Sequence, residues 1–245
     1  MMHLNKHWVS WFTGFSEGDG HFGINGNALF FVLTQKEKAI LEEIQQILGF
    51  GNLTFDASVN CWRFKVHGIE NIFKLAQIFN GNLVLDHRIA QFNSWIKILN
   101  SKGYKIELLG KSKLTLENAW LSGFTDAEGC FTITASGENA KRQRVKMRFL
   151  IDQNDEQVLL AIRDLLETGF VSFRKSTASC YRLTAESFGK LDSIVNYFKA
   201  FPLRTKKLNS FNKWLEVRVK MLNNEHLIPG GIAKIKELAS KINKE

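Results

Sequence analysis

The sequence has few of the residues that stabilise small secreted proteins. Its 245 residues include three cysteines, Cys61, Cys130 and Cys180, and two prolines. Because the cysteine count is odd and no two are close in sequence, we expect neither a disulfide framework nor a cysteine zinc site, and a reducing compartment fits best. No apolar run reaches membrane-span length, and the N-terminus resembles neither a signal peptide nor a transit peptide. We therefore expect no membrane partner.

Acidic residues are too few to balance the basic ones. The chain has 33 Lys and Arg against 24 Asp and Glu, a formal net charge of +9. This excess favours a polyanionic partner, most often nucleic acid, although a generic basic surface fits the charge equally well. The chain is also rich in Phe, Lys, Asn and Ile, with 20 Phe, as proteins of AT-rich genomes are. We therefore expect it to be encoded and made in an organelle, the mitochondrion.

Two stretches of the chain follow the same plan. "WFTGFSEGDGHF" (11–22) and "WLSGFTDAEGCF" (120–131) place aromatic, small and acidic residues in the same order. Further matches follow in order, which indicates an internal duplication: 34–37 with 152–155, 61–64 with 180–183, and 92–95 with 211–214. The predicted organisation is an N-terminal repeat (1–100), a linker (101–116), a C-terminal repeat (117–222) carrying an insertion near 135–144, and a C-terminal loop and helix (223–245).

Hydrophobic spacing predicts the same elements in each repeat. Helical spacing indicates amphipathic helices, and alternation of apolar and basic residues indicates strands with one packed face and one cationic face. In the first repeat this predicts helices at 7–19, 36–49, 69–79 and 88–99, and strands at 21–25, 29–35, 52–55 and 61–66. The fold class is α+β: two pseudosymmetric αββαββα repeats, each with a curved antiparallel sheet, packed through the two opening helices.

The two opening helices carry a small residue at every fourth position. The small residues are Ser10, Gly14 and Gly18 in the first helix, and Ala119, Gly123 and Ala127 in the second. Such a stripe lets two helix backbones approach closely. We therefore expect the two helices to pack on each other across a pseudo-twofold axis. The flanking large residues are expected to face the two cores: Trp8, Trp11, Phe12, Phe15, Trp120, Leu121 and Phe124.

Each opening helix ends on a carboxylate followed by a glycine. Asp19 precedes Gly20, and Glu128 precedes Gly129; we expect these glycines to adopt the left-handed conformation of a helix end. A carboxylate there meets the negative end of the helix dipole, at a cost of roughly 0.3–1 kcal/mol. A bound divalent cation removes this cost and the repulsion between the two acids. Oxygen ligands favour Mg²⁺, with Mn²⁺ or Ca²⁺ as substitutes in binding, whereas the simpler interpretation is two solvated acids.

"FTGFSEGDG" (12–20) and "LSGFTDAEG" (121–129) resemble the two motifs of the single-chain LAGLIDADG homing endonucleases. The resemblance spans both repeats and implies a monomer whose motif helices form the interface between the halves. It also implies that Asp19 and Glu128 bind metal, assisted by the carbonyls of Gly18 and Ala127. The other acidic positions, Glu17 and Asp126, are expected to be structural and to bond near the helix ends. Phe12, Thr13 and Ser122 depart from the family's Leu and Ala, without loss of the glycines or acids.

The resemblance implies further catalytic residues beside the two acids. "PLRTKKL" (202–208) matches a family segment that carries a lysine, here Lys207, and the counterpart in the first repeat is Arg88. These cations would orient water and steady developing charge. Lys206 and His87 are the neighbouring candidates, and a plain basic first helical turn is the alternative. Gln35 and Gln153 match a position that organises active-site waters; the alternative is that they cap the following helix.

The polar strand faces are the predicted nucleic-acid surface. A two-stranded ribbon fits the major groove, where Arg, Asn and Gln contact base edges, and other contacts reach only phosphate. The predicted DNA-binding residues are Asn25, Asn27, Arg63, Lys65, Arg144, Lys146, Arg148, Arg174 and Arg182. The insertion near 135–144 occurs in one repeat only, which predicts an asymmetric target.

Three functions are consistent with this sequence. The first is a site-specific double-strand DNA endonuclease that hydrolyses phosphodiesters with divalent metal at a long, asymmetric target. The second is an intron maturase, which would bind intron RNA on the same scaffold. The third is a DNA-binding repressor without catalysis. The intact pair Asp19 and Glu128 favours the first, because RNA binding does not require a metal site.

Overall fold

The computed structural model describes residues 4–137, 143–175 and 180–243. The chain divides into two compact units, Met1–Ala127 and Glu128–Glu245. Part of the predicted insertion, residues 138–142, lies outside the described residues. Within the described ranges, no helix combines the length and apolar character needed to cross a membrane.

The first unit contains one complete repeat. Its elements are α1 (Lys6–Asp19), β1 (Gly20–Asn25), β2 (Ala28–Gln35), α2 (Lys38–Leu48), β3 (Asn52–Asp56), β4 (Cys61–Val66), α3 (Ile69–Phe79) and α4 (Asp86–Ser101). The four strands form an antiparallel sheet in the order β1-β2-β4-β3. The repeat ends in two helices, both at predicted places, so its full order is αββαββαα, and the formula αββαββα counts only one of them.

The second repeat begins with α5 (Trp120–Glu128), which starts in the first unit and ends in the second. It continues through β5 (Gly129–Ser136), β6 (Arg144–Gln153), α6 (Glu156–Leu166), β7 (Phe170–Arg174), β8 (Cys180–Ala185), α7 (Asp192–Ala200) and α8 (Lys207–Leu222). The strands form a second antiparallel sheet in the order β5-β6-β8-β7. The same strand order in both sheets confirms the predicted duplication.

Strand alternation buries one face of each sheet under helices. In β2, Leu29, Phe31 and Leu33 are buried, and the ring of Phe31 lies 5.6 Å from that of Phe79 in α3. In the second unit, Phe131 of β5 lies 5.3 Å from Phe149. The opposite faces, which carry the basic residues, are left uncovered by this packing.

The predicted linker is anchored on the first unit. Residues 104–115 contain no helix or strand, but their backbone bonds to the end of α3 and the loop that follows it. Leu109 N donates to Asn80 Oδ1 (2.9 Å), and Ser112 N donates to Leu83 O (2.8 Å). Because these bonds satisfy backbone groups that a free linker leaves to solvent, the segment extends the first unit.

The C-terminal segment forms the predicted helix, α9 (Gly231–Ser240). Ile232 and Ile235 are buried, and the segment packs on β5 and α8. Beyond the helix, Asn243 Nδ2 donates to Phe131 O in β5 (2.8 Å). Because β5 is the outer strand of its sheet, this contact covers part of an otherwise open strand edge.

Within the first unit, α1 and residues 120–127 of α5 pack backbone to backbone. A Cβ atom on Gly14 would clash with the carbonyl of Trp120, and one on Gly123 would clash with the carbonyl of Trp11. Ser10 Oγ accepts a hydrogen bond from Ala119 N (3.1 Å) at the start of the contact. The predicted close packing of the two small-residue stripes is therefore confirmed.

The carboxylate of Glu17 is fully buried beneath this helix pair. It accepts hydrogen bonds from Leu85 N (2.7 Å), Val84 N (2.9 Å) and Trp120 Nε1 (2.6 Å). Burial raises the pKa of Glu17 from its ordinary 4.5 to about 7, and the three donors and Arg88 oppose that rise. Glu17 therefore ties α1 to the chain before α4 and to α5.

Asp126 makes the corresponding contact in the opposite direction. Trp11 Nε1 donates to its Oδ2 at 2.8 Å. Glu17 and Asp126 are thus structural, as predicted. Trp11 and Trp120 were expected only to face the cores; the structure shows that their indole N–H groups also link the two helices.

Substituting Gly123 by alanine should unfold the protein or nearly so. The new Cβ meets backbone of the neighbouring helix, which cannot rotate away, so we expect a loss of at least about 3 kcal/mol in the free energy of unfolding. Urea denaturation measures this. Gly110→Ala is the control, because a Cβ there meets nothing within 4 Å. Equal stability of the two variants would contradict the packing.

The burial of Glu17 should make stability fall as pH rises. A carboxyl whose folded pKa exceeds its unfolded value stabilises the fold below about 4.5, and that contribution is lost as pH rises through about 7. The shift bounds the loss at about 3 kcal/mol. Denaturation of wild type and Glu17→Gln in EDTA, from pH 4 to 8, should give curves that diverge across this window. Parallel curves would contradict the assignment.

Candidate active site

The first predicted metal ligand, Asp19, is the last residue of α1. The chain passes from it directly into β1, and Gly20 has an extended backbone (φ −84°, ψ 150°). The expected left-handed conformation at Gly20 is therefore wrong, and Gly129, the first residue of β5, likewise has no positive φ. Gly20 is needed for space, since a Cβ would clash with the carbonyl of Ser16 and meet the Phe31 ring at 3.0 Å.

Gln35 supports Asp19 directly. It is the last residue of β2, and pairing of Gly20 with Leu33 brings the end of β2 beside the end of α1. Its Nε2 donates to Asp19 Oδ2. This bond fixes one oxygen of the carboxylate, and it shows that the Gln35 amide points to Asp19 rather than capping α2.

Glu128 and Gln153 form the matching pair in the second unit, with a weaker contact. Gln153 Nε2 lies 3.5 Å from Glu128 Oε1, while its Oε1 accepts from Asn154 N at 2.7 Å. The following helix, α6, is capped by Asp155, whose Oδ1 accepts from Gln157 N and Val158 N. The capping alternative for Gln153 is therefore wrong, and its contact with Glu128 is longer than the contact of Gln35 with Asp19.

Arg88 lies in the first turn of α4, against the C-terminal end of α1. Its Nε donates to Glu17 O (2.9 Å), its Nη2 to Gly18 O (3.2 Å) and its Nη1 to Gln91 Oε1 (3.1 Å). A guanidinium at this end of the helix offsets the helix dipole. Gly18 O, a predicted metal ligand, is thus already a hydrogen-bond acceptor. His87, the neighbouring candidate, is exposed.

Lys207, the predicted counterpart of Arg88, is the first residue of α8 and is half-buried. Its N–H donates to Thr205 Oγ1 at 3.2 Å. Burial raises the pKa of the nearby Cys130 thiol, and the charge of Lys207 opposes that rise. Lys207 therefore lies near the start of β5, the strand that directly follows Glu128 in the sequence. Lys206, its neighbouring candidate, directly precedes α8.

The available ligands fit magnesium better than zinc. Among the described residues, no group of three or more His, Cys, Asp or Glu side chains is placed to hold a metal. Mg²⁺ in nucleotide-processing sites typically takes one or two carboxylates and completes its shell with water and phosphate oxygens. One carboxylate at the end of each motif helix, with Gln35 orienting Asp19, matches that requirement. Ala127, whose carbonyl was predicted to assist in metal binding, directly precedes Glu128 in α5.

The uncovered sheet faces carry most of the predicted DNA-binding residues. In the first sheet, Arg63 and Lys65 of β4 lie opposite Thr34 and Val32, on the other side from buried Phe64. Asn25 ends β1, and Asn27 lies in the turn before β2 rather than in a strand. The remaining residues lie on the second sheet: Arg144, Lys146 and Arg148 in β6, Arg174 in β7 and Arg182 in β8.

Three carboxylates on the same faces were missed by the sequence reasoning. Asp56 pairs with Arg63, Asp152 with Arg174 and Arg182, and Glu186 with Lys146 and Arg148. The spacing of Asp152 from Lys146 and Arg148 along β6 was a usable signal, because residues two apart share a strand face. The pairing across strands depends on register, which the spacing does not contain.

Sequence comparisons identify relatives over nearly the whole chain. The sequence profile of the LAGLIDADG endonuclease family matches residues 12–99 and 121–218. The chain is 36% identical to a probable intron-encoded endonuclease of Neurospora crassa over 98% of its own length and 45% of that protein. It is 31% identical to the intron-encoded RNA maturase bI4 of Saccharomyces cerevisiae over 55% of its length and 20% of that protein. The chain thus spans less than half of either relative.

Solved structures share the fold. The structure of the LAGLIDADG meganuclease I-AabMI bound to uncleaved DNA has a TM-score of 0.79 to this chain, at 21% identity, and the match covers 98% of this chain and 100% of that one. At this identity the likeness establishes the fold. Each region matched by the family profile contains one motif helix and one four-stranded sheet. The chain therefore belongs to the LAGLIDADG endonuclease family.

Proposed function

We propose that the protein is a site-specific, Mg²⁺-dependent DNA endonuclease that cuts both strands of a long, asymmetric target. The observation that carries the proposal is the duplicated pairing of a helix-terminal carboxylate with a strand-terminal glutamine, Asp19 with Gln35 and Glu128 with Gln153. Glu17 and Asp126 make the contacts that link the two motif helices, which supports a separate role for the two helix-terminal carboxylates.

Phosphodiester hydrolysis needs an activated water and a stabilised leaving oxygen, and divalent metal ions supply both when bound. Asp19 and Glu128 would hold the metal, with the Gly18 and Ala127 carbonyls assisting. Gln35 keeps one oxygen of Asp19 in place. Lys207 would orient water or steady developing charge.

Arg88 serves a different role from Lys207. A guanidinium stays protonated at any pH a protein tolerates, so it cannot act as a base. Its bonds to the carbonyls of Glu17 and Gly18 support a role in fixing the end of α1, and hence the position of Asp19. The two halves would therefore cut at different rates.

The uncovered sheet faces would bind double-stranded DNA. Antiparallel ribbons fit the major groove, and arginines in alternate strand positions reach base edges or phosphates. Two complete repeats in one chain support action as a monomer. Relatives that are intron-encoded and the Phe-, Lys-, Asn- and Ile-rich composition support an organellar origin, in the mitochondrion.

An intron maturase is the second candidate. The likeness to the maturase bI4 favours it, although that match covers 55% of this chain and is confined to a fifth of that protein. Splicing by RNA binding would not need the Asp19–Gln35 pair. A repressor without catalysis would leave the same pair unused, so cleavage separates the three functions.

Asp19→Asn should abolish cleavage while leaving DNA binding intact. Losing one carboxylate ligand removes several kcal/mol of transition-state stabilisation, more than about a thousandfold in rate. Cleavage of plasmids that carry sites selected from random DNA, with Mg²⁺, measures the rate; binding is measured with Ca²⁺. Glu42→Gln is the control, because it removes an exposed carboxylate paired with Lys38. Tight binding by wild type without any cleavage would refute the endonuclease proposal.

Gln35→Ala should slow cleavage more than Gln153→Ala. Residues that orient a metal ligand are typically worth about 10- to 100-fold, and only Gln35 makes a close contact with its carboxylate, whereas the Gln153 contact is 3.5 Å. Time courses on supercoiled plasmid should therefore show a long-lived nicked circle for Gln35→Ala and little for Gln153→Ala. The opposite order would show that the contact with Asp19 does not govern the rate.

A further inference from the structure

The uncovered face of the second sheet is built around a carboxylate. Asp152 in β6 lies directly opposite Arg182 in β8. Arg182 Nε and Nη2 donate to its two oxygens, each at 2.6 Å, and Arg174 Nη1 donates to Oδ2 at 2.9 Å. One acid thus holds two arginines that belong to the predicted DNA-binding set.

Similar ion pairs occur elsewhere on both faces. Glu186 accepts from Arg148 Nε at 2.8 Å in the second sheet. In the first sheet, Arg63 Nη2 lies 2.8 Å from Asp56 Oδ2. Arg63 and Arg182 occupy corresponding positions of the duplicated segments 61–64 and 180–183.

The acid comes from a different neighbour in each repeat. Asp56 lies on β3, whereas Asp152 lies on β6. Thr34 occupies the position in the first sheet that corresponds to Asp152, in the matched segments 34–37 and 152–155. Both repeats therefore pair the same arginine, but through different strands.

Folding stability is not a sufficient reason for these acids. The side chains of Asp152 and Arg182 are 32% and 29% exposed, so solvent screens the pair, and even a bidentate pair at such a site contributes modestly to folding. Arg182 holds the pKa of Asp152 below its usual range, so the carboxylate is charged at neutral pH. A negative charge in the middle of a phosphate-binding surface opposes binding unless it has another role.

We propose that Asp152 sets specificity: by holding Arg174 and Arg182 in ion pairs, it weakens their contacts with phosphate and presents them to base edges. Glu186 and Asp56 act in the same way on Arg148 and Arg63. The proposal rests on the proposed DNA-binding function of the sheets.

The physical basis is competition for the guanidinium. A DNA phosphate can bind Arg182 only if it displaces the Asp152 carboxylate or lies close to that negative charge. Each such ion pair therefore removes one phosphate contact, with its release of a counterion, from sequence-independent binding. A guanine edge needs only the N–H groups that Asp152 does not use, and a guanidinium already held in one plane loses less freedom on binding it. Specificity then arises because the ion pairs weaken binding to non-target DNA more than binding to the target.

The test compares Asp152→Asn with wild type on two DNA duplexes. One duplex is recovered by selection from randomised DNA, and the other has the same composition in shuffled order; both are titrated by fluorescence anisotropy in Ca²⁺ over a series of KCl concentrations. Asp152→Asn should bind the shuffled duplex roughly three- to tenfold more tightly, with a salt slope steeper by about one, the effect of one added phosphate contact. Affinity for the selected duplex should rise less, so the specificity ratio falls.

Asp164→Asn is the matched control. It removes the same charge from the same unit, but its carboxylate pairs with Arg163 within α6 rather than with a predicted DNA-binding arginine. If both variants change binding to the shuffled duplex equally, the ion pairs of Asp152 with Arg174 and Arg182 have no special effect and the proposal is wrong. If Asp152→Asn melts at a lower temperature and binds both duplexes more weakly, Asp152 is structural and the proposal is again wrong. If wild type binds neither duplex, the proposed DNA-binding function itself fails.

Discussion

The approach of two helix backbones at Gly14 and Gly123 is the constraint on which the rest of the fold depends. Each glycine lies against a carbonyl of the other helix, with no room for a side chain. Because the two helix backbones are this close, the large side chains of α1 and α5 point away from the line of contact between the helices. Phe12 packs on Phe79 at 5.5 Å, and the indoles of Trp11 and Trp120 reach the buried acids of the opposite helix. A wider separation would break both indole contacts, which for Glu17 add to the backbone N–H groups of Val84 and Leu85.

The two acidic positions of each motif have separate physical roles because of where the helix ends. Glu17 points into the protein, where backbone and indole N–H groups compensate its burial. Asp19, two residues later, lies at the helix terminus and receives its contact from the end of a neighbouring strand. Burial of the first acid fixes the rotation of the helix and therefore the direction of the second. The proposed catalytic position thus depends on a structural carboxylate that would take no part in the chemistry.

Much of the fold could be predicted from local sequence patterns. The helix at 69–79 and the strand at 61–66 have the predicted bounds, because each is a short run with one clear period and a polar boundary. The conformation of Gly20 was not predictable in this way: a glycine after a helix usually indicates a left-handed end, whereas here the chain enters β1 at once. Only the contact of that position with Ser16 and Phe31, made in the folded chain, explains the glycine.

The site was predicted less completely than the fold, for the same reason. Glu17 and Asp126 could be assigned a structural role from the duplicated motif, but their donors could not be named. Two of the three bonds of Arg88 join residues some seventy positions apart in sequence, and the ion pairs of Asp152 depend on cross-strand register. Patterns within one segment carry no information about such contacts.

Duplication constrains the two halves unequally. The helix contact involves a glycine from each repeat, so a change in either one affects both halves. The exposed strand residues of one sheet do not have to match those of the other sheet in this way. Thr34 in the first sheet corresponds to Asp152 in the second. The acid that pairs with Arg63 lies on β3, whereas the acid that pairs with the equivalent Arg182 lies on β6. This combination suits the proposed reading of an asymmetric target: two halves alike where the motif helices pack and different where the sheets would contact bases.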